Sequence, residues 1–417
     1  MMTRRGLLPL LALALPFSAS AAQLENFTPI GYVKWGNIYT NNKNRNDGKG
    51  KLDTVIRASE GFGNYRLGNE MNWWEGGFKT DITTDTDAIF DFTWYIGSGD
   101  KWGDVGTLQT WASVYNIIPG QPDAKVWVGK RFYQRYEVHM IDVKYWDVSD
   151  NGTGLENVDF GFAKGSIAWL APESSADERV LHNIDVRLSD LKLSDDADLT
   201  TGLNYVFTQN SSYNDKDITT NGSMLSMIYR QAWAMGSNSL AFQYGRDALA
   251  GGLMSAEGAS STKYNTGVDH NGYSWRIFNY GELNFTDNIQ SMYSIAWQDL
   301  NLDNKRGMTW FSAGLRPQYS WNEYLATALE FGYERVDAQN NAGVNDMYKV
   351  TLAQMIQAGK GVWARPALRL FVTWSDSDTQ WERLNSYGET YKYAAPVKSD
   401  KGSTEEVTFG FNFELWW

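Results

Sequence analysis

Four stretches of the chain set a large ring beside charged or amide side chains at spacings of two, the spacing that shares one face of a β-strand. Trp363 stands with Arg365 and Arg369, Trp416 with Asn412 and Glu414, Trp74 with Arg66, Glu70 and Asn72, and Tyr32 with Lys34. Together these groups suit sugars. The axial C–H groups of a pyranose pack on an aromatic ring, while its hydroxyl rim seeks charged donors and acceptors. Repeated weak sites of this kind let a saccharide slide without falling into a deep well, as conduction requires. The competing reading is a one-residue slip, which turns each ring to the opposite face and makes it a plug or a membrane-girdle residue.

The densest charged stretch is GKRFYQRYEVHMIDVKYWD, residues 129–147, which holds Arg135, Glu137, Asp142 and Lys144. It is too charged to face lipid and too rich in rings for a free loop. The sharper expectation is a loop folded inward as a constriction; the plainer one is a solvated external loop.

The elements that must position these residues are strands. In the last segment Val407, Phe409, Phe411, Phe413, Leu415 and Trp417 alternate with Thr408, Gly410, Asn412, Glu414 and Trp416. One tryptophan thus belongs to each face, Trp417 to a lipid-facing girdle and Trp416 to a wet interior. The same alternation runs through 313–321, 325–334 and 362–374, with one short connection around Asn322 and Glu323. Longer polar stretches at 41–51, 210–221 and 255–271 read as loops. Long strands with short turns at one end and long loops at the other form the pattern of a transmembrane β-barrel. At about 22 residues per strand and connection, some 395 residues give about 16 to 18 strands. A soluble secreted sandwich, a carbohydrate-binding lectin, is the alternative from another class. It leaves unexplained the aromatics expected at strand ends, Trp321, Tyr333, Trp374 and Trp417.

Composition fits an all-β chain with one apolar and one wet face. Tryptophan, tyrosine and phenylalanine make up 15% of the 417 residues, yet mean hydropathy is −0.45. Residues 1–22 read as a secretory signal peptide: Arg4 and Arg5, then a short apolar core, then Ser18-Ala19-Ser20-Ala21-Ala22. Paired arginines leave the twin-arginine route open beside the general one. Residues 23–417 then form a single barrel domain, with no later apolar run of the length a membrane helix needs. Without the leader, 35 basic residues face 49 acidic ones, which disfavours nucleic acid as a partner. The chain has no cysteine. The three histidines, His139, His182 and His270, lack a metal spacing, and no G-x-S-x-G elbow or Walker motif occurs. Neither an enzyme nor a cofactor is therefore expected; an outer-membrane hydrolase would need a Ser–His geometry that the sequence does not display.

Several motifs resemble the maltoporin family of outer-membrane carbohydrate porins, which includes the sucrose porins. They are YRLGNE (65–70), GKRFYQR (129–135), VHMID (138–142), YWD (145–147), GLEN (154–157), VTLAQ (350–354), WARPALR (363–369) and the closing FELWW. The resemblance implies an 18-stranded antiparallel barrel, a homotrimer, an inward third loop and passive diffusion of oligosaccharides and small ions. It carries over an aromatic track of Tyr32, Trp74, Trp102, Trp363 and Trp416. It likewise carries over a polar track and constriction of Lys34, Arg66, Arg135, Glu137 and Asp142. A role as a phage receptor is implied by the resemblance alone. Three positions depart from the family pattern: Lys144 replaces a constriction tyrosine, Ser237 a track phenylalanine and Gly76 a carboxylate. The expectation is a sugar preference different from maltodextrins and easier passage of anions.

Overall fold

The computed structural model describes residues 23–40, 56–69, 72–99, 105–171, 181–208, 212–213, 216–217, 219–252, 269–384 and 394–417. Trp102, Glu70, the leader and most of the three polar stretches named as loops lie outside them.

Eighteen strands build the wall. They are β1 (Gln23–Thr40), β2 (Trp73–Thr83), β3 (Ile89–Ser98), β4 (Gly106–Tyr115), β5 (Lys125–Arg131), β6 (Asp150–Asp159), β7 (Lys164–Leu170), β8 (Leu181–Ser194) and β9 (Ala197–Thr208). The second half comprises β10 (Asn221–Trp233), β11 (Gly236–Asp247), β12 (Gly272–Thr286), β13 (Ile289–Leu302), β14 (Met308–Ser320), β15 (Leu325–Ala338), β16 (Val344–Gln357), β17 (Ala367–Arg383) and β18 (Pro396–Trp416). Each pairs antiparallel with its neighbours in sequence, and β1 closes the sheet by pairing with both β2 and β18. Of the two counts the sequence left open, eighteen is correct.

Alternation decides the faces. Leu368, Leu370, Val372, Phe409, Phe411 and Phe413 stand exposed on the outside, whereas Arg369, Thr373, Thr408, Asn412 and Glu414 are buried on the inside. On β15, Leu329 and Phe331 face out while Glu330 and Glu334 are fully buried. Closure leaves no sheet edge around the wall at the seam level, so backbone groups are paired strand to strand, as crossing a bilayer demands. No helix among the described residues is long and apolar enough to cross a membrane.

The core lies inside the barrel. Residues 132–149 fold inward, and Tyr133, Met140, Ile141, Val143, Tyr145 and Trp146 pack with the wall residues Trp127, Phe278 and Trp310. Wall side chains tie down the loop backbone: Arg187 Nη1 donates to the Gln134 carbonyl at 2.6 Å and Arg276 Nη2 to that of Tyr145 at 2.6 Å. This settles the inward reading over the solvated one.

A second inner segment, 56–69, ends in residues, from Arg66 onward, whose pattern reads as one strand with Trp74. Instead it crosses the lumen without strand pairing and docks on the far wall. The Tyr65 ring lies in a slot left by Gly314 and Gly332, where an added Cβ would come within 2.6 and 2.8 Å of it. Its hydroxyl lies 2.7 Å from Ser312 Oγ, 2.9 Å from the Ala313 carbonyl and 2.7 Å from the Tyr333 carbonyl. Buried Glu334 accepts from the Ala58 and Gly63 amides and the Trp310 indole.

Two strand-end expectations need correction. Tyr333 and Trp374 stand within long strands, whereas Trp321 and Trp417 do lie at strand ends. Trp417 exchanges backbone hydrogen bonds with Gly31 at 3.1 Å in both directions, and its ring fills the place a Gly31 side chain would take.

Candidate functional site

At the seam, Tyr32 pairs with Trp416 and Lys34 with Glu414. Tyr32 and Trp416 rings are stacked with centroids 6.5 Å apart. Trp363 lies 6.5 Å from Trp416, and His139 of the inward loop lies 4.7 Å from Trp363. Tyr32, Trp416, Trp363 and His139 thus form one run of rings inside the lumen.

Trp363 reaches this run by a route the pattern did not reveal. It belongs to the 358–366 turn ahead of β17, not to the strand, and its indole donates to Glu282 Oε1 at 2.5 Å. Arg365 of the same turn lies 4.5 Å from the Trp416 ring.

One carboxylate organises the charged side. Glu414 is buried and accepts from Arg66 at 2.6 Å, Arg365 at 2.8 Å and Arg369 at 2.7 Å, while Tyr32 donates to it at 2.9 Å. Arg66 continues to Asp142 at 3.3 Å, and Lys144 meets the same Asp142 oxygen at 3.3 Å. The lysine that replaces a ring therefore joins the charge network. Glu137 sits beside His139, 3.9 Å away. Arg135 holds its guanidinium 4.1 Å from the Phe132 ring.

Register corrects one ring of the expected track. Trp74 pairs with Val33 and so has the outer-face parity of Leu415. Trp73 pairs with Lys34, and Glu75 with Tyr32, so these two stand toward the lumen. The sequence reading extended β2 back through Arg66 and inherited its parity; since 56–69 is not strand, that parity has no meaning. Of the remaining departures, Gly76 leaves the inner carboxylate to Glu75, and Ser237 lies on β11 opposite Glu282, the partner of Trp363. Arg365, Arg369 and Glu414, read from the sequence as polar neighbours of Trp363 and Trp416, do meet, around Glu414; Glu75 and His139 are not among the expected site residues, and only their places beside Gly76 and within the charged loop point to them.

The loop charges are held across a wide pH range. Burial raises the Asp142 carboxyl, but Arg66, Lys144 and Lys34 outweigh it and hold it well below the usual carboxylate range. Burial likewise opposes Glu137, yet the His139 hydrogen bond, Lys144 and Arg135 bring it to about 2. For His139, burial and the Arg66 charge push the imidazole down to about 4. Its neutral form is the one favoured by folding, so this stability is present above the ordinary histidine value and is lost as pH falls toward 4. The constriction should gain one positive charge near pH 4 and none near 6.5. Reversal potentials measured from pH 7.5 to 3.5 should show a step toward anions near 4 that is absent in His139→Gln; a His139-dependent step between 6 and 7 contradicts the assignment.

Comparison with known proteins agrees with this geometry. The LamB porin family model matches residues 27–417. Among solved structures, the chain is similar to OccK10 (OpdN) of Pseudomonas aeruginosa at 10% identity, with TM-score 0.50, covering 94% of this chain and 99% of that one. OccK11 (OpdR) of the same organism follows at 10% identity and TM-score 0.48, covering 95% and 98%. The trimer form of Vibrio cholerae OmpT matches at 10% identity and TM-score 0.43, covering 95% and 100%. At such identities the likeness concerns the fold alone.

Proposed function

The chain belongs to the LamB porin family and forms an outer-membrane β-barrel channel, and from that premise we propose that its pore passes oligosaccharides and small ions by passive diffusion along the Tyr32, Trp416, Trp363 run. The single observation that carries this reading is the run itself: three rings in line within the lumen, bordered by Arg365, Arg66 and Glu414. Rings supply apolar faces for successive sugar units, and the guanidiniums and carboxylates meet the hydroxyls. Trp73 and Glu75, on the lumen parity of β2, extend the polar border.

A soluble lectin is disfavoured by the outside of the wall. Leu370, Val128, Leu203 and Phe409 are each more than half exposed there, an apolar belt that suits lipid rather than water. Export of the chain through residues 1–22 and assembly as a homotrimer, in which Trp102 of one copy serves another, belong to the same proposal.

The test is block of single-channel current by neutral sugars of graded length. Trp363→Ala should weaken block by roughly tenfold, the loss of one good ring contact. If Trp363→Ala blocks like the parent for every sugar, the run of rings is not the path. Lys144→Tyr should move preference toward maltodextrins; if maltodextrins already block the parent most strongly, Lys144 does not set selectivity.

A further inference from the structure

Beside the run of rings the lumen holds a lateral cleft of ≈ 370 Å³, a volume within the span of small-ligand sites, about 300–1,000 Å³. Tyr32, His139, Trp363 and Trp416 do not border it. Its walls come instead from β1 to β5, the start of the inward loop and the terminal Trp417, chiefly Glu75, Lys79, Tyr95, Trp111, Phe132 and Arg135.

The cleft is chemically polarised. Lys79 pairs with Thr93 on β3 and Thr93 with Trp111 on β4, so Lys79 and Trp111 lie at one level of the wall. Arg131 joins them there, its guanidinium 4.2 Å from the Trp111 ring. At this level the Trp111 indole N–H and the Arg131 Nε–H are buried donors with no partner among the described residues. Lys79 is in no ion pair among them either, whereas Arg131 is bound to Glu156 through Nη1 at 3.1 Å. Four residues earlier on the same strand, about 13 Å away at the usual rise, Glu75 keeps Oε2 buried and unpartnered. Phe132 lies in the wall with Tyr95 edge-on at 6.5 Å and Arg135 at 4.1 Å.

Two cations, Lys79 and Arg131, and a neutral indole donor at one level call for an anionic group, because the buried Trp111 and Arg131 N–H groups lack acceptors and such donors are costly. Rings and a free carboxylate oxygen call for a sugar's C–H face and its hydroxyls. We propose that this cleft is a second binding site in the pore, selective for saccharides that carry an acidic group, with the acid held by Lys79, Arg131 and Trp111 and the sugar ring on Phe132. The proposal rests on the sugar-channel reading, which it deepens by naming a substrate class. Uronate carboxylates and phosphate esters share the chemistry that the site recognises, and the experiment separates them.

Current block is measured in purified channels with a neutral trisaccharide, an oligouronate, a hexose phosphate and inorganic phosphate. Lys79→Gln should weaken block by the oligouronate or the hexose phosphate, or both, by about tenfold, as expected for a lost charge-assisted hydrogen bond. Trp111→Phe, which retains a ring but removes the N–H, should weaken the same compounds by about threefold, since a neutral donor contributes less. Both variants should leave block by the neutral sugar and the open-channel conductance unchanged. Whichever acidic sugar loses block identifies the natural acid. Equal loss for neutral and acidic sugars overturns the proposal, as does no loss for either. Loss for inorganic phosphate equal to that for the acidic sugars reduces the site to general anion attraction and also overturns it. Failure of the channel reading itself is distinguishable, because then Trp363→Ala is silent for every sugar.

Discussion

Glu414→Gln should destabilise the barrel by about 3–5 kcal/mol, the usual cost of removing one partner from a buried ion pair. The substitution keeps the shape but leaves Arg66, Arg365 and Arg369 facing one another without the carboxylate that accepts from all three. Two readouts should move together. The urea midpoint of the detergent-purified protein should fall, and reversal potentials in a salt gradient should shift toward anions because the constriction gains a unit of positive charge. A variant with unchanged stability and unchanged selectivity would show that Glu414 is not the organising charge. Arg369→Gln serves as the contrast, since it removes one arginine and should shift selectivity the opposite way.

Tyr65→Ala should enlarge the conducting path. The ring fills the Gly314–Gly332 slot and its hydroxyl is held by Ser312 and two carbonyls, so truncation forfeits the packing of a buried aromatic, about 3–5 kcal/mol. Lys349 also grips this segment, donating to the Tyr65 carbonyl at 3.2 Å and pairing with Glu330 at 2.7 Å. Loss of the ring should free the segment from the wall and raise single-channel conductance severalfold. Gly332→Val tests the same point from the wall side, leaving Tyr65 intact but closing its slot. If conductance stays at the parent value in both variants, the 56–69 segment does not restrict the pore. A rise in one alone points to a wall defect instead.

Much of the wall was legible in the chain. Phe409, Phe411 and Phe413 against Asn412 and Glu414 gave both faces, because a strand buried on one side must alternate. The inward loop was legible in part: Arg135, Glu137, Asp142 and Lys144 so close together exclude lipid, but a solvated external loop stayed open until wall contacts placed 132–149 inside. What escaped were features set by partners rather than by local pattern. Trp73 and Trp74 are adjacent, and only pairing with Val33 and Lys34 tells which one faces inward. Val362, Ala364 and Pro366 continue the strand alternation of β17 by coincidence, although they belong to a turn. Tyr65 looks like an ordinary strand tyrosine until Gly314 and Gly332, some 250 residues on, supply its slot. Charge balance at Glu414 likewise depends on Arg66 arriving from a segment that is not part of the wall.

The seam between β1 and β18 has a further consequence for biogenesis. Tyr32 and Glu414 are 382 positions apart, so the two ends of the chain meet only when the last strand zips onto the first. Until then Tyr32 has no Trp416, Lys34 has no Glu414, and Arg66 lacks its nearest carboxylate. A sheet open at this seam therefore carries the rings and charges of the seam cluster without bringing them together. Closing the wall and assembling the Tyr32, Trp416 and Glu414 cluster are thus one event.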